Sequence, residues 1–145
     1  WNMAWGTPVG ATQTTDIFDL ARSARKVGKG TLLSKKSYRA MTQSRLIGFG
    51  QRQDNCAPSC FTQVVGYNYG LGIVRSGAWM LQNPLLGGYA ATMAYLPEKD
   101  VAIAVAVTFK QKAFDAEGSY PNASDTIFRE IGALMAPKDP PPVKR

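Results

Sequence analysis

Three short strings in the chain carry side chains able to do chemistry. Ser23-Ala-Arg-Lys26 sets a hydroxyl and an amine three residues apart. A lysine so placed can accept the proton of a serine nucleophile, provided it is held neutral. Tyr120-Pro-Asn122 sets a phenol near a carboxamide, and Asn122-Ala-Ser124 also spells a glycosylation sequon. Asn55-Cys-Ala-Pro-Ser-Cys60 holds both cysteines of the chain. Against these stands the lack of any histidine. No Ser-His-Asp or Cys-His relay can be built from this chain alone, and the commonest transition-metal ligand is missing. Two thiolates do not close a tetrahedral zinc site by themselves, so neither a metal nor another cofactor is expected. A disulfide between Cys56 and Cys60 is the preferred reading and requires an oxidising compartment. Its small loop puts the stabilisation at the low end of about 2–4 kcal/mol. Two free thiols in a cytosolic loop are the alternative.

At 145 residues the chain is read as one domain, and its 45% hydrophobic content argues against disorder. No apolar run approaches the roughly 20 residues that span a bilayer, so no transmembrane segment is expected. The chain begins at Trp1 with no signal-peptide pattern. An upstream cut is the expectation, with targeting information in the part removed. Net charge is +7, from 17 Lys and Arg against 10 Asp and Glu. The densest stretch holds Arg22, Arg25, Lys26, Lys29, Lys35, Lys36, Arg39 and Arg45. Such charge suits nucleic acid, an anionic membrane or an anionic wall, but its plain reading is a solvated face on two helices. No nucleic-acid-binding motif accompanies it, so nucleic acid is not an expected partner.

The elements that must position these groups follow from periodicity. Ile17, Leu20, Ala21, Ala24 and Val27 recur at helical spacing. The helix they form starts near Thr15, which caps it, and stops at Gly28 and Gly30. Ser34 caps a second helix, Lys35 to about Thr42, with Tyr38 and Met41 inward. Residues 46–66 form a long irregular excursion. Strands are expected over 67–75, 78–82, 89–96 and 101–109, with a tight turn at Ser76-Gly77 and another at 97–100. The last strand is apolar on both faces and needs cover on both sides. Its alanine face (Ala102, Ala104, Ala106) invites close approach by the final helix. That helix is capped by Ser124 and buries Ile127, Phe128, Ile131, Leu134 and Met135. A proline-rich tail over 137–145 has no core to join, which leaves 1–136 as the folded domain. The class is α+β, an antiparallel sheet with flanking helices.

This placement removes Ser23 as a nucleophile. It lies inside the first helix, and Lys26 projects roughly 180° from Ile17. An exposed lysine stays near its reference pKa of ~10.4 and is no base at neutral pH.

Three pieces, in order, resemble one family. They are Gly10-Ala-Thr-Gln-Thr-Thr-Asp-Ile-Phe-Asp-Leu-Ala-Arg22 followed by Gly30-Thr-Leu-Leu-Ser34 and Met41; Tyr69-Gly-Leu-Gly-Ile73; and Gly88-Tyr-Ala-Ala-Thr92 followed by Tyr95-Leu-Pro-Glu-Lys-Asp-Val-Ala-Ile-Ala-Val-Ala-Val107. They look like the C-terminal part of penicillin-binding proteins and class C β-lactamase-like serine hydrolases. The resemblance implies the C-terminal portion of the β-lactamase and transpeptidase-like fold. It also implies that the nucleophile of Ser-x-x-Lys and the Tyr-x-Asn motif lie on an N-terminal half absent from this chain. Tyr120-Pro-Asn122 falls after the strands instead of before them, and reads as a turn into the last helix.

The family's Lys/His-Thr/Ser-Gly triplet falls on Gln82-Asn83-Pro84. Gln82 supplies no positive charge, and Pro84 replaces the glycine that lets substrate lie against the strand. Gln82, Asn83, Pro84 and Tyr89 are the expected substrate contacts, and Leu85 the residue whose amide would complete an oxyanion hole. The resemblance makes the parent a β-lactamase, D-Ala-D-Ala carboxypeptidase or esterase, with this chain alone inactive. Its expected partners are the missing half, a peptidoglycan peptide, a β-lactam or small ester, or a second copy on the exposed face. Its expected place is secreted, periplasmic or at the cell wall. The degenerate triplet keeps open an inactive binding module for wall peptide or a protein partner, and the charge an anionic-polymer binder.

Overall fold

The computed structural model of the chain describes residues 14–54 and 60–142. In chain order these form helices α1 (Ile17–Lys29) and α2 (Lys35–Thr42), strands β1 (Asn68–Tyr69), β2 (Val74–Ser76), β3 (Trp79–Gln82), β4 (Leu85–Leu86), β5 (Tyr89–Leu96) and β6 (Val101–Thr108), and helix α3 (Ala123–Met135). The class is α+β: every strand pairing is antiparallel, and helices flank the sheet.

Local chemistry accounts for the helix ends. Asp16, one residue after Thr15, caps α1, its Oδ1 accepting from the Asp19 amide at 2.8 Å. A carboxylate there also meets the positive end of the helix. Gly30, at φ 65°, closes α1 in the left-handed conformation that glycine adopts without strain. Ser34 caps α2 through the Ser37 amide. Asn122, not Ser124, caps α3, its Oδ1 accepting from the Asp125 amide at 3.1 Å.

The sheet is built around β5. On one side β6 pairs with all eight of its residues. On the other lie β3 and β4, which behave as a single strand. Gln82 opposes Met93 and Leu85 opposes Ala90 in the same register, and the Ala91 amide donates to Pro84 O at 3.1 Å. Pro84 has no amide to return, so one ladder bond is lost without a slip. Gly87 and Gly88, both at positive φ, turn the strand back in two residues. The segment expected as one strand over 67–75 is instead a small hairpin of β1 and β2. Gly70 lies so close to α2 that a Cβ there would sit 2.1 Å from Met41 O, and the chain bends through Gly70–Gly72.

Alternation along the strands sorts the core into two layers. Ile73, Met80 and Tyr95 pack with Val27, Tyr38, Met41 and Ala102 beneath α1 and α2. Val74, Trp79, Leu81, Ala94, Leu96, Ile103 and Val105 pack with Phe128 and Ala136 beneath α3. The alanine face of β6 is therefore covered by α1, not by the final helix. The Tyr95 ring explains this. It fills the depth that the alanines leave, and α1 meets it with Ala24 and Gly28, its two buried residues. Phe128 of α3 needs the deeper side, where its ring stands edge-on to Trp79 at 5.3 Å.

Two further expectations are corrected. The buried stripe of α3 is Ser124, Asp125, Phe128 and Gly132, whereas Ile127, Leu134 and Met135 are exposed. The helix is turned so that Gly132 faces the chain's own tail. Pro141 is buried there and occupies the space a Gly132 Cβ would need. Trp79 Nε1 donates to Asp139 O at 2.8 Å. The tail thus joins the core through residue 142, because a buried indole N–H and a glycine notch both require a partner.

Asp100 ties α1 to the β5–β6 turn. It sits at φ 52° and accepts from Arg25, from Lys29 Nζ at 2.9 Å and from the Tyr95 hydroxyl at 3.0 Å. The Arg25 hydrogen bond, then that of Lys29, holds its carboxyl well below the ordinary range. Burial raises the Tyr95 phenol. A depressed carboxylate stabilises the fold above its unfolded pKa, and loses that contribution as pH falls toward the native value. Asp100→Asn, which tolerates positive φ, should lower the melting temperature at neutral pH. The gap from wild type should close as pH drops below about 4. A Cβ at Gly28 would meet the buried Tyr95 ring at 2.1 Å. Gly28→Ala should therefore cost about 1–3 kcal/mol in urea titrations.

Candidate functional site

In an antiparallel ladder, successive residues point their amides alternately to one neighbour strand and the other. Pro84 bonds toward β5, so Asn83 and Leu85 direct their backbone groups the opposite way. There β2 supplies partners only as far as Leu81, opposite Val74. From Asn83 onward the strand is an open edge. The Asn83 carbonyl on that edge accepts from Asn122 Nδ2 at 2.8 Å. The Leu85 amide faces the same opening, in a residue 38% exposed. Leu86 and Tyr89 are exposed beside it, at the tip of the hairpin.

The expected contact residues divide between the two faces of the sheet. Gln82 lies on the α1 face, and its Nε2 donates to Gly72 O at 2.5 Å. Asn83 lies on the α3 face, where its Nδ2 donates to Asp125 Oδ1 at 3.0 Å. The Tyr67 hydroxyl approaches Asn83 Oδ1 at 3.5 Å. Both amide side chains are thus engaged within the protein, where the sequence reading left them free for a ligand. Pro84, Leu85 and Tyr89 are the members of the expected set that face solvent.

Behind this edge is a polar network that sequence reasoning missed. Asp125 and Arg129 form a nearly buried ion pair, Nε to Oδ2 at 2.9 Å, each side chain 10% exposed. Arg129 also donates to Ser76 Oγ at 3.1 Å and to the Pro142 carbonyl. Ser124 Oγ, fully buried, lies 2.9 Å from Thr92 Oγ1 and donates to Asn122 Oδ1. The available signal was the i,i+4 spacing of Asp125 and Arg129, but nothing in it points inward. Tyr120-Pro-Asn122 is a turn into α3, as expected, and it also braces the edge. The Gly88 amide donates to Tyr120 Oη at 2.8 Å. The Tyr120 ring lies against Phe109 and Phe114. The buried Ser124 leaves the sequon little access in the folded chain.

Ser23 and Lys26 are both exposed on α1, on the helix's solvent side. Lys26 lines a shallow hollow of about 160 Å³ with Arg22, Arg25, Lys29 and Thr31. A serine in such surroundings is open to water on the helix's outer side. Cys60 is disulfide-bonded, and Cys56 lies outside the described residues. Among the described residues no group of three or more His, Cys, Asp or Glu is placed to hold a metal, and no helix is long and apolar enough to cross a membrane.

No protein-family model matches the chain, and no curated protein is significantly similar to it. Chemically, the edge offers an outward amide on a strand held rigid from behind, with apolar side chains beside it. Removing Asp125 would strand the Arg129 charge in a nearly dry site. Asp125→Ala should therefore destabilise by about 3–5 kcal/mol in denaturant titration.

Proposed function

We propose that this chain is the C-terminal half-domain of a serine acyl hydrolase or penicillin-binding protein. It would supply the sheet wall of a cleft whose serine and lysine are carried on a separate half. The single observation that supports this most is the edge at Leu85. An amide aimed away from its own sheet, on a strand immobilised by the Asn83–Asn122–Asp125 network, is the kind of preorganised donor that stabilises an oxyanion. The Tyr-Gly-Leu-Gly and Gly-Tyr segments fall at β1–β2 and at the β4–β5 turn, next to that strand. The exposed setting of Ser23 fits a nucleophile supplied from elsewhere. The substrate class would be a β-lactam, a D-Ala-D-Ala peptide or a small ester.

A second reading, an inactive binding module for wall peptide or a protein partner, draws on Gln82 and Asn83. Their side-chain donors are occupied, and neither brings the positive charge that would hold a carboxylate.

The chain alone should neither hydrolyse nitrocefin or p-nitrophenyl acetate nor become acylated by fluorescent penicillin. The protein that includes the other half should be acylated at its own serine. There, Leu85→Pro should cut acylation by about 10²-fold or more. Proline at this position removes a donor that the sheet does not use, so the melting temperature should hold. Acylation of the present chain that vanishes in Ser23→Ala would overturn the proposal, as would full activity in the Leu85→Pro parent. Wall-peptide binding without acylation in the parent would favour the second reading.

A further inference from the structure

From Leu20 to Gln53 the chain has nine Lys and Arg and no Asp or Glu. That stretch is α1, α2, the corner between them and the loop that follows. Arg22 pairs with Asp19, and Arg25 and Lys29 pair with Asp100. Lys26, Lys35, Lys36 and Arg39 are exposed and form no ion pair among the described residues. The hollow lined by Arg22, Arg25, Lys26, Lys29 and Thr31 sets four cations against two carboxylates, and so keeps a positive balance.

At the apex of this basic corner, Leu32 is 86% exposed and Leu33 43%. Their exposure is built into the fold. The Tyr38 ring packs directly beneath Gly30, leaving no room for a Cβ, and its hydroxyl donates to Gly28 O. Leu33 N bonds back to Gly30 O at 3.0 Å, and Ser34 caps α2. These contacts fix the turn from below and push residues 31–33 outward.

From this arrangement we infer that the α1–α2 corner docks on an anionic lipid bilayer. Lysines and arginines alone would suit any polyanion. Two adjacent aliphatic side chains at the tip gain nothing from a sugar-phosphate or wall polymer in water. They do gain from the headgroup–acyl boundary, where apolar burial adds to attraction by anionic lipid. Leu32 and Leu33 enter that boundary, Lys35 and Lys36 flank them at headgroup level, and the hollow of four cations receives a lipid phosphate. The inference is independent of the acyl-hydrolase reading, since it uses neither the β4 edge nor any nucleophile.

The test is flotation of the 145-residue chain with phosphatidylcholine vesicles, with and without phosphatidylglycerol. Binding should require phosphatidylglycerol and fall with added salt. Leu32→Ser/Leu33→Ser should weaken it at least about tenfold, while leaving retention on heparin unchanged. Lys35→Gln/Lys36→Gln should weaken both by about tenfold. Leu134→Ser, an equally exposed leucine on α3 across the sheet, should change neither, and circular dichroism melts verify that each variant is folded. Equal flotation with pure phosphatidylcholine would overturn the inference. So would a folded leucine variant that binds anionic vesicles like wild type, or heparin retention without any flotation. The leucine result would reduce the corner to charge attraction alone, and the heparin result would assign it to a soluble polyanion.

Discussion

The structure depends on burying β5 on both faces while hydrogen-bonding it on both edges. Its eight residues pair with β6 throughout and with β3 and β4 opposite. With strands on both edges, the side chains have only two directions left. Tyr95 must go toward α1, and Ala94 and Leu96 toward α3. Each helix is then selected by what the strand presents. The Tyr95 ring requires a helix with a gap, which Gly28 provides. The Trp79 and Ile103 layer requires bulk, which Phe128 provides.

The same constraint produces the open edge. β3 and β4 must stay in register with β5, so Pro84 is accommodated where its missing amide costs one ladder bond and no more. Beyond Leu81 the β1–β2 hairpin has turned away, because Gly70 is pinned against Met41. The backbone of Asn83 and Leu85 is left facing outward. A bare edge of this kind invites pairing with other chains. Here Asn122 occupies the Asn83 carbonyl, and α3 braces the strand through Asp125 and Arg129. The most polar part of the interior thus stands directly behind the most accessible part of the sheet.

The charge distribution follows another logic. The acids that face the basic α1 surface, Asp19 and Asp100, neutralise only part of it, and none lies within α2 or the corner. Packing needs do not call for this excess. Both helices pack one apolar side against the Tyr95 and Met80 layer and would do so with neutral outer faces.

Periodicity alone determined most element positions here. An alternation of Val and Ile with Ala marks β6, turn residues bound β5, and helical spacing marks all three helices, although the caps expected at Thr15 and Ser124 fall on Asp16 and Asn122. Such signals are local, and local hydrogen bonding and burial enforce them. The split of residues 67–75 into a hairpin was not legible, because the cause is the carbonyl of Met41, about thirty residues away. Nor was it legible which helix covers the alanine face, which side of α3 turns inward, or that the proline tail packs against Trp79. Those choices were decided by the matching of volumes across the sheet. At the candidate site, Gln82, Asn83, Pro84 and Leu85 could be named from their order in the chain. Whether their donors point to a ligand or to Gly72 and Asp125 depends on which face each occupies and what stands opposite, and only the assembled tertiary structure sets that.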